Sequence, residues 1–440
     1  KDIIKKIEKI EVSSSDRTTK TEKVELHNKK FLGRDVKALK IFITNYKDAH
    51  PVADELGFPE IEARREYDIN LITKYITDKK IIPLNWYKIY GELINNYDFG
   101  GINNIDADIV IKADKIEQLP KQTEFKLKIL AFDIEADEFE IGKGEILMIS
   151  LAGENLKKVL TWKKTEKKEN YIECFKDEAD LIEAFVKYVK EYSPDILAGY
   201  FSDGFDMPYL RARAEKNKVK LSLGLDNKQP SFARGRIPSA SIAGIVHVDL
   251  FRFIDSVYSQ YLQSETLGLN EVAFELLGEK KLDFVHKHSS KINHDEWKDY
   301  FAYNLQDSVL TYKLTEKFIP DMFEFCRIIQ EPLFDITRSS MSQLVEDYIL
   351  HNLEKYNEIA EKHPHYDEIG ERRMREKYEG AFVLQPNPGL YENICFFDFT
   401  SMYASIIVSY NLSKSTLTNQ EKNSYESMIE NKKVYFSKEQ

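Results

Sequence analysis

Hydrophobic and polar positions are most sharply patterned around residues 126–134. Leu127, Ile129, Ala131, Asp133 and Glu135 alternate with Leu130, Phe132 and Ile134. Side chains in a strand repeat every two positions, so this pattern predicts a strand with two distinct faces. One face is apolar throughout, and the other ends on two carboxylates. Gly142 and Gly144 then signal a turn, and strands are expected over Glu145–Ala152 and Lys157–Trp162. Leu181, Ile182, Phe185, Tyr188 and Val189 recur at helical spacing within Asp177–Glu191, which Pro194 closes. Asp195–Tyr200 reads as a buried strand, and a helix is expected from Asp206 and Met207 through the 211–218 region. Residues 227–245, rich in Gly, Pro, Ser and Arg, read as a loop or hairpin insertion. A strand over His247–Phe253 and helices over 266–277 and 295–317 complete the block. Three strands, a helix, a strand and further helices amount to an α/β arrangement: a mixed sheet flanked by helices.

On either side the pattern is weaker. Lys1 to about Lys37 is polar, with Ser13, Ser14 and Ser15 in a row, and reads as a strand-poor edge or a mobile lead-in. Ala38–Asn45 alternates like a strand, Pro51–Leu56 begins a short helix, and Ile69–Asp78 is helical up to Ile81-Ile82-Pro83. These make a small α+β domain. Residues 319–360 are apolar at helical spacing. Near residue 378 the texture changes, Pro386 and Pro388 follow, and Asn393–Phe399 is expected to be a strand. The expected organisation is an N-terminal domain over 1–125, the α/β domain over 126–318, a helical segment over 319–365 returning to the N-terminal domain, and a last segment over 366–440.

Composition narrows the class. A chain of 440 residues exceeds one core. No run of about eighteen apolar residues occurs, so no membrane partner is expected, and no secretory signal opens the sequence. The chain starts at Lys1 rather than Met, which reads as a fragment or a processed form. Cys174, Cys326 and Cys395 form no CxxC pair, which argues against a thiolate zinc site and fits a reducing cytoplasm. The net charge of −11 argues against an all-over nucleic-acid coat but leaves room for a local basic channel. Residues 1–40 carry a net +5, and Arg372, Arg373, Arg375 and Lys377 cluster ahead of Gly380.

Two carboxylates on one face of an apolar strand repel each other and lose hydration. The pair at Asp133 and Glu135 is either a strand end emerging into water or half of a divalent-cation site. Asp206 lies just past a strand, at a helix start, where the helix dipole and backbone donors favour a carboxylate. Tyr303 and Asp307 are four residues apart, on one face of a helix. Singly, each has an ordinary reading as a cap or a surface hydrogen bond. Together, in this order and on these elements, Asp133-x-Glu135, Asp206 and Tyr303-x-x-x-Asp307 resemble the three motifs of the 3′–5′ exonuclease domain of family B DNA polymerases.

That resemblance implies a ribonuclease-H-like domain holding two Mg²⁺ or Mn²⁺ ions per active site. It implies that Asp133 bridges both ions, that Glu135 and Asp307 complete the first site, and that Glu135 also contacts the terminal nucleotide. Asp206 serves the second ion and Tyr303 orients the attacking water. The family usually has Asn where this chain has Phe201, beside Phe205 in the same motif. This departure is expected to tune strand binding.

Further on, Asp398-Phe-Thr-Ser401-Met402-Tyr403-Ala404-Ser405-Ile is similar to the family's first palm motif, whose usual form is Asp-x-x-Ser-Leu-Tyr-Pro-Ser-Ile. The match implies polymerase metals on Asp398, backbone donors from Ser401 and Met402 to an incoming dNTP, and Tyr403 packed under its sugar. Tyr378-Glu379-Gly380-Ala381 resembles the element between the two active sites that contacts template DNA, which brings in Arg372 and Arg373 as phosphate contacts. Glu66-Tyr67-Asp68-Ile69 through Pro83 is similar to the archaeal branch. Absent are the family's Lys-x-x-x-Asn-Ser-x-Tyr-Gly fingers helix and its Asp-Thr-Asp turn.

The expected protein is therefore the N-terminal portion or large subunit of a family B polymerase. It carries the exonuclease and the start of the palm, and by itself trims DNA without extending it. Its partners are primer-template DNA, a single-stranded 3′ end and a polypeptide supplying fingers, palm and thumb, with a sliding clamp as a further candidate. Two alternatives remain: a non-catalytic DNA-binding scaffold, and a stand-alone exonuclease acting on RNA.

Overall fold

The computed structural model describes residues 2–14, 17–94, 105–122, 125–164, 169–235, 237–282, 287–375, 382–429 and 432–439. It divides into two compact units, Tyr75–Ile349 and Lys1–Lys74 with Leu350–Gln440.

The Tyr75–Ile349 unit is built on a six-stranded sheet. Its strands are β1 (Ile129–Ala136), β2 (Ile146–Gly153), β3 (Leu156–Thr161), β4 (Ile172–Cys174), β5 (Ile196–Gly199) and β6 (Val246–Asp249), in the spatial order β6-β5-β1-β2-β3-β4. β1 runs antiparallel to β2 and parallel to β5, so the sheet is mixed. The alternation along β1 sorts its side chains as expected. Leu130, Phe132 and Ile134 join a core with α1 (Glu178–Tyr192) and α2 (Asp206–Asn217), through Leu181, Phe185 and Leu210. Ile129 and Ala131 face a second core with α3 (Leu269–Leu277) and the long α4 (Glu296–Ile329), through Val272, Val309, Leu310 and Leu314. Asp133 and Glu135 continue the face that meets α4.

Small side chains let α4 approach the sheet. Ser150 on β2, the partner of Asp133, donates to the Asn304 carbonyl at 2.8 Å and meets the Ser308 hydroxyl at 2.6 Å. The helix does not stop near 317 but runs through Pro320 to Ile329. Met322, Cys326 and Ile329 are buried with Leu314 and Phe318, and this burial outweighs the hydrogen bond that proline removes. β6 ends at Asp249 rather than Phe253, because the Asp249 carboxylate accepts the Phe251 N–H at 3.1 Å and starts a helical turn. The 227–245 insertion contains a short hairpin, Ser231–Ala233 with Ser239–Ser241.

In the other unit the polar N-terminal segment is not strand-poor. Thr18–Phe31 and Arg34–Ile43 form a long antiparallel hairpin, joined at Leu32 and Gly33, both with positive φ. Its many lysines mask the strand alternation. The strand expected over Asn393–Phe399 is also absent. Ile394, Phe396, Phe397 and Phe399 are exposed, and no strand pairs with this segment among the described residues. A lone apolar segment without a paired edge has no ladder to join.

One buried ion pair fixes the helix that carries Asp206. Glu178, at the start of α1, accepts Arg213 of α2 through both oxygens at 2.7 and 2.5 Å, together with Asn217 Nδ2 and the Ile146 N–H, each at 2.7 Å. Both side chains are buried. Removing one partner leaves the other charge uncompensated, so Glu178→Ala should destabilise this unit by about 3–5 kcal/mol in urea unfolding.

Candidate metal centre

Three elements deliver the acids to one cavity of about 400 Å³. β1 supplies Asp133 and Glu135. α2 supplies Asp206 as its first residue, and α4 supplies Asp307. The ladder between β5 and β1 ends at Ala198 and Ala131, which leaves the next stretch of the β1 edge open. Asp206 fills it, accepting the Ile134 N–H at 3.1 Å. Along α4, Tyr300, Tyr303, Asn304 and Asp307 lie at i, i+3, i+4 and i+7 and share one face. Tyr300 donates to Glu135 at 2.8 Å, and Asn304 Nδ2 donates to Asp133 at 2.7 Å.

Oxygens of Asp133, Glu135 and Asp307 lie within 4.8 Å of one another. Asp206 lines the same cavity without joining that trio. Lys281 enters from the side, its Nζ 2.5 Å from Asp307 and 3.4 Å from the Tyr303 hydroxyl. Among the described residues that line the cavity, four carboxylates thus face one ammonium.

The electrostatics follow from that imbalance. Lost hydration raises Asp133 well above the ordinary carboxylate range, with repulsion from Asp307, Asp206 and Glu135 adding to it. Burial pushes Glu135 up to about 7, against the hydrogen bond from Tyr300. Burial likewise pushes Asp206 up to about 7, against the Ile134 N–H, and Asp307 up to about 6, against Lys281. Burial disfavours the Lys281 ammonium, but Asp307 and Asp133 outweigh it and hold its pKa above the usual range. Tyr303 is pushed up to about 12 by burial and by Asp307.

The residues fit a divalent cation. The donor set is entirely oxygen, which suits a hard ion such as Mg²⁺ or Mn²⁺. Asp307 Oδ1 is buried with no hydrogen-bond partner, an acceptor left open beside the oxygen that Lys281 holds.

Other expected site residues fall elsewhere. Phe205 lines the cavity. Asp398, Ser401, Met402 and Tyr403 belong to the other unit and are exposed; Ser401, at φ +50°, precedes the helix Met402–Ser409. Arg372 and Arg373 are exposed in the last turn of the helix Tyr366–Met374. Tyr378 and Gly380 lie outside the described residues. The sequence reading missed Lys281, Tyr300 and Asn304. Counting back from Asp307 by three and by seven along the helix finds two of these; Lys281 leaves no such local signal.

The sequence matches "DNA polymerase family B, exonuclease domain" over residues 62–272 and "DNA polymerase family B" over 333–440. The chain belongs to DNA polymerase family B. Asp133, Glu135 and Asp206 fall in the first match and Asp398 in the second, while Tyr303 and Asp307 lie between them. The chain is 32% identical to a DNA polymerase of Pyrococcus glycovorans over 425 residues, covering 95% of this chain and 49% of that protein. It is also 32% identical to DNA polymerase 1 of Pyrococcus abyssi over 428 residues, covering 96% and 50%. It therefore spans about half the length of these archaeal relatives. Its fold is similar to that of the family B DNA polymerase from the hyperthermophilic archaeon Pyrobaculum calidifontis, with a TM-score of 0.74 at 24% identity, over 96% of this chain and 53% of that one. An exonuclease domain with part of a palm accounts for that likeness. No helix among the described residues is long and apolar enough to cross a membrane.

Raised carboxylate pKa values fix a sign. The native state holds these protons more tightly than the unfolded chain, so their contribution is complete below about pH 4 and is lost as pH rises through about 6–7. Chelated protein should therefore melt at a lower temperature at pH 8 than at pH 5, and Mn²⁺ should raise the midpoint more at pH 8. Asp133→Asn should raise the chelated midpoint at pH 8 by about 2–4 °C for each kcal/mol of repulsion relieved, and should abolish the response to Mn²⁺. A retained response would place the metal elsewhere.

Proposed function

We propose that this chain removes nucleotides from the 3′ end of single-stranded or frayed DNA by divalent-metal-dependent hydrolysis, as the proofreading part of a family B DNA polymerase. The observation that carries this reading is the gathering of Asp133, Glu135, Asp206, Asp307 and Tyr303 around one cavity. Its volume suits a terminal nucleotide.

In this reading Asp133, Glu135 and Asp307 hold one Mg²⁺ or Mn²⁺ ion, and Asp206 with Asp133 holds a second. When bound, such a pair supplies activated water on one side of the phosphodiester and charge neutralisation at the leaving oxygen on the other. The remaining work belongs to side chains. Tyr303, with its pKa raised, keeps its proton at neutral pH and orients the attacking water by hydrogen bonding rather than by removing a proton. Lys281 keeps its charge, restrains Asp307 and offers a cation to the phosphate. Tyr300 and Asn304 fix the rotamers of Glu135 and Asp133.

The domain reading is that 1–125 is the N-terminal domain, 126–318 the exonuclease domain, 319–365 the helical return and 366–440 the start of the palm. Asp398, Ser401, Met402 and Tyr403 serve metal and dNTP in nucleotidyl transfer. That reaction draws on fingers and Asp-Thr-Asp elements that this sequence does not contain. Arg372, Arg373, Tyr378 and Gly380 contact DNA, Phe205 contacts the strand in the cavity, and the setting is the cytoplasm.

The chain incubated with end-labelled single-stranded DNA and Mg²⁺ should shorten it from the 3′ end. Asp133→Ala should slow this by roughly a hundred-fold or more. Equal digestion by both proteins would reject the assignment, and metal-independent binding of DNA without cleavage would favour a scaffold instead.

A further inference from the structure

Phe201 lines the acid cavity but takes no part in holding the carboxylates, and 40% of its surface is exposed. Its φ of +60° lies in the left-handed region, which a bulky side chain disfavours. The surroundings enforce that conformation. The Phe201 N–H donates to Asp249 at 2.9 Å, and the Phe201 carbonyl accepts the N–H groups of Gly204 and Phe205, each at 3.0 Å. Asp249 also accepts the Asp203 N–H at 2.9 Å, and buried Asp203 is clamped by Arg338 at 2.8 Å and Arg252 at 3.0 Å.

The ring is braced as well. It packs edge-on against Phe251, with centroids 5.3 Å apart and planes at 86°. Gly204 lies directly against it: a Cβ there would stand 2.4 Å from the ring Cζ, so only glycine lets the ring settle on the turn. Both the backbone conformation and the exposed apolar surface oppose stability. A rigid aromatic ring kept at that cost, beside clustered carboxylates that suit a phosphodiester with its metal, has the attributes of a stacking platform. Aromatic side chains grip single strands through the π-face that every base presents, without reading its identity.

We propose that Phe201 stacks on a base of the single strand whose 3′ end enters the cavity, and so sets strand affinity independently of sequence. This rests on the nuclease reading above. The test is fluorescence anisotropy of the full chain with a labelled oligothymidylate, with Ca²⁺ in place of Mg²⁺ and strand integrity checked by electrophoresis. Phe201→Ala and Phe201→Leu should each weaken binding about ten-fold, while Phe201→Trp retains it. With abasic sites at the last few 3′ positions, the unaltered chain should fall to the level of the leucine variant. Leucine keeps the apolar contact with Phe251, so the comparison holds even where alanine unfolds the turn. Wild-type affinity in Phe201→Leu, a deficit that persists in full on the abasic strand, or no binding by the unaltered chain would overturn the inference. A chain that binds in this base-dependent way yet leaves DNA intact in Mg²⁺ would contradict the nuclease reading alone.

Discussion

Mutual repulsion among Asp133, Glu135, Asp206 and Asp307 is the constraint around which the Tyr75–Ile349 unit is arranged. Four carboxylates in one cavity, with Lys281 the one ammonium among its described lining residues, cannot all ionise at neutral pH without compensation. The fold tolerates them because each has a neutral donor or a cation holding it in place: Asn304 on Asp133, Tyr300 on Glu135, the Ile134 N–H on Asp206 and Lys281 on Asp307. These contacts set orientation but leave most of the charge unbalanced. A site preorganised in this way is complementary to cations before any arrive, and needs little rearrangement to take them.

Around this centre, packing and polarity are divided between the two sheet faces. The face toward α1 and α2 is largely apolar, and the buried ion pair of Glu178 with Arg213 on it is closed by further hydrogen bonds. The face toward α4 exchanges apolar contact for polar contact as β1 progresses from Ile129 to Glu135. Ala131, Ser150 and Ser308 are small, and their size brings α4 near enough for its Asn and Tyr side chains to reach the strand. Close packing and chemistry are thus one feature of this interface.

Much of this was legible in the sequence. The two-residue period of β1 gave both faces and the position of the first acids, and the four-residue spacing of Tyr303 and Asp307 placed them on one helix face. What was hidden depended on contacts between distant residues. Lys281 sits in a polar run after Gly278, and nothing local marks its pairing with Asp307, 26 residues on. Asp203, Arg252 and Arg338 come together only through the turn at Phe201. The first strand of the N-terminal hairpin escaped notice because lysines break its alternation, although the second was expected from Ala38 onward, and the strand expected before Asp398 failed because an apolar run needs a neighbouring ladder as well as a pattern.

The hydrogen bond from Ile134 to Asp206 ties three acids to a single stretch of main chain, since the donating amide lies between Asp133 and Glu135. Any slide of that strand along its own axis carries these groups together and preserves their separations. Asp307 is carried by the long helix instead. The spacing between Asp307 and the other three acids therefore depends on how the helix sits against the strand, a seating fixed by the Tyr300 and Asn304 hydrogen bonds to Glu135 and Asp133.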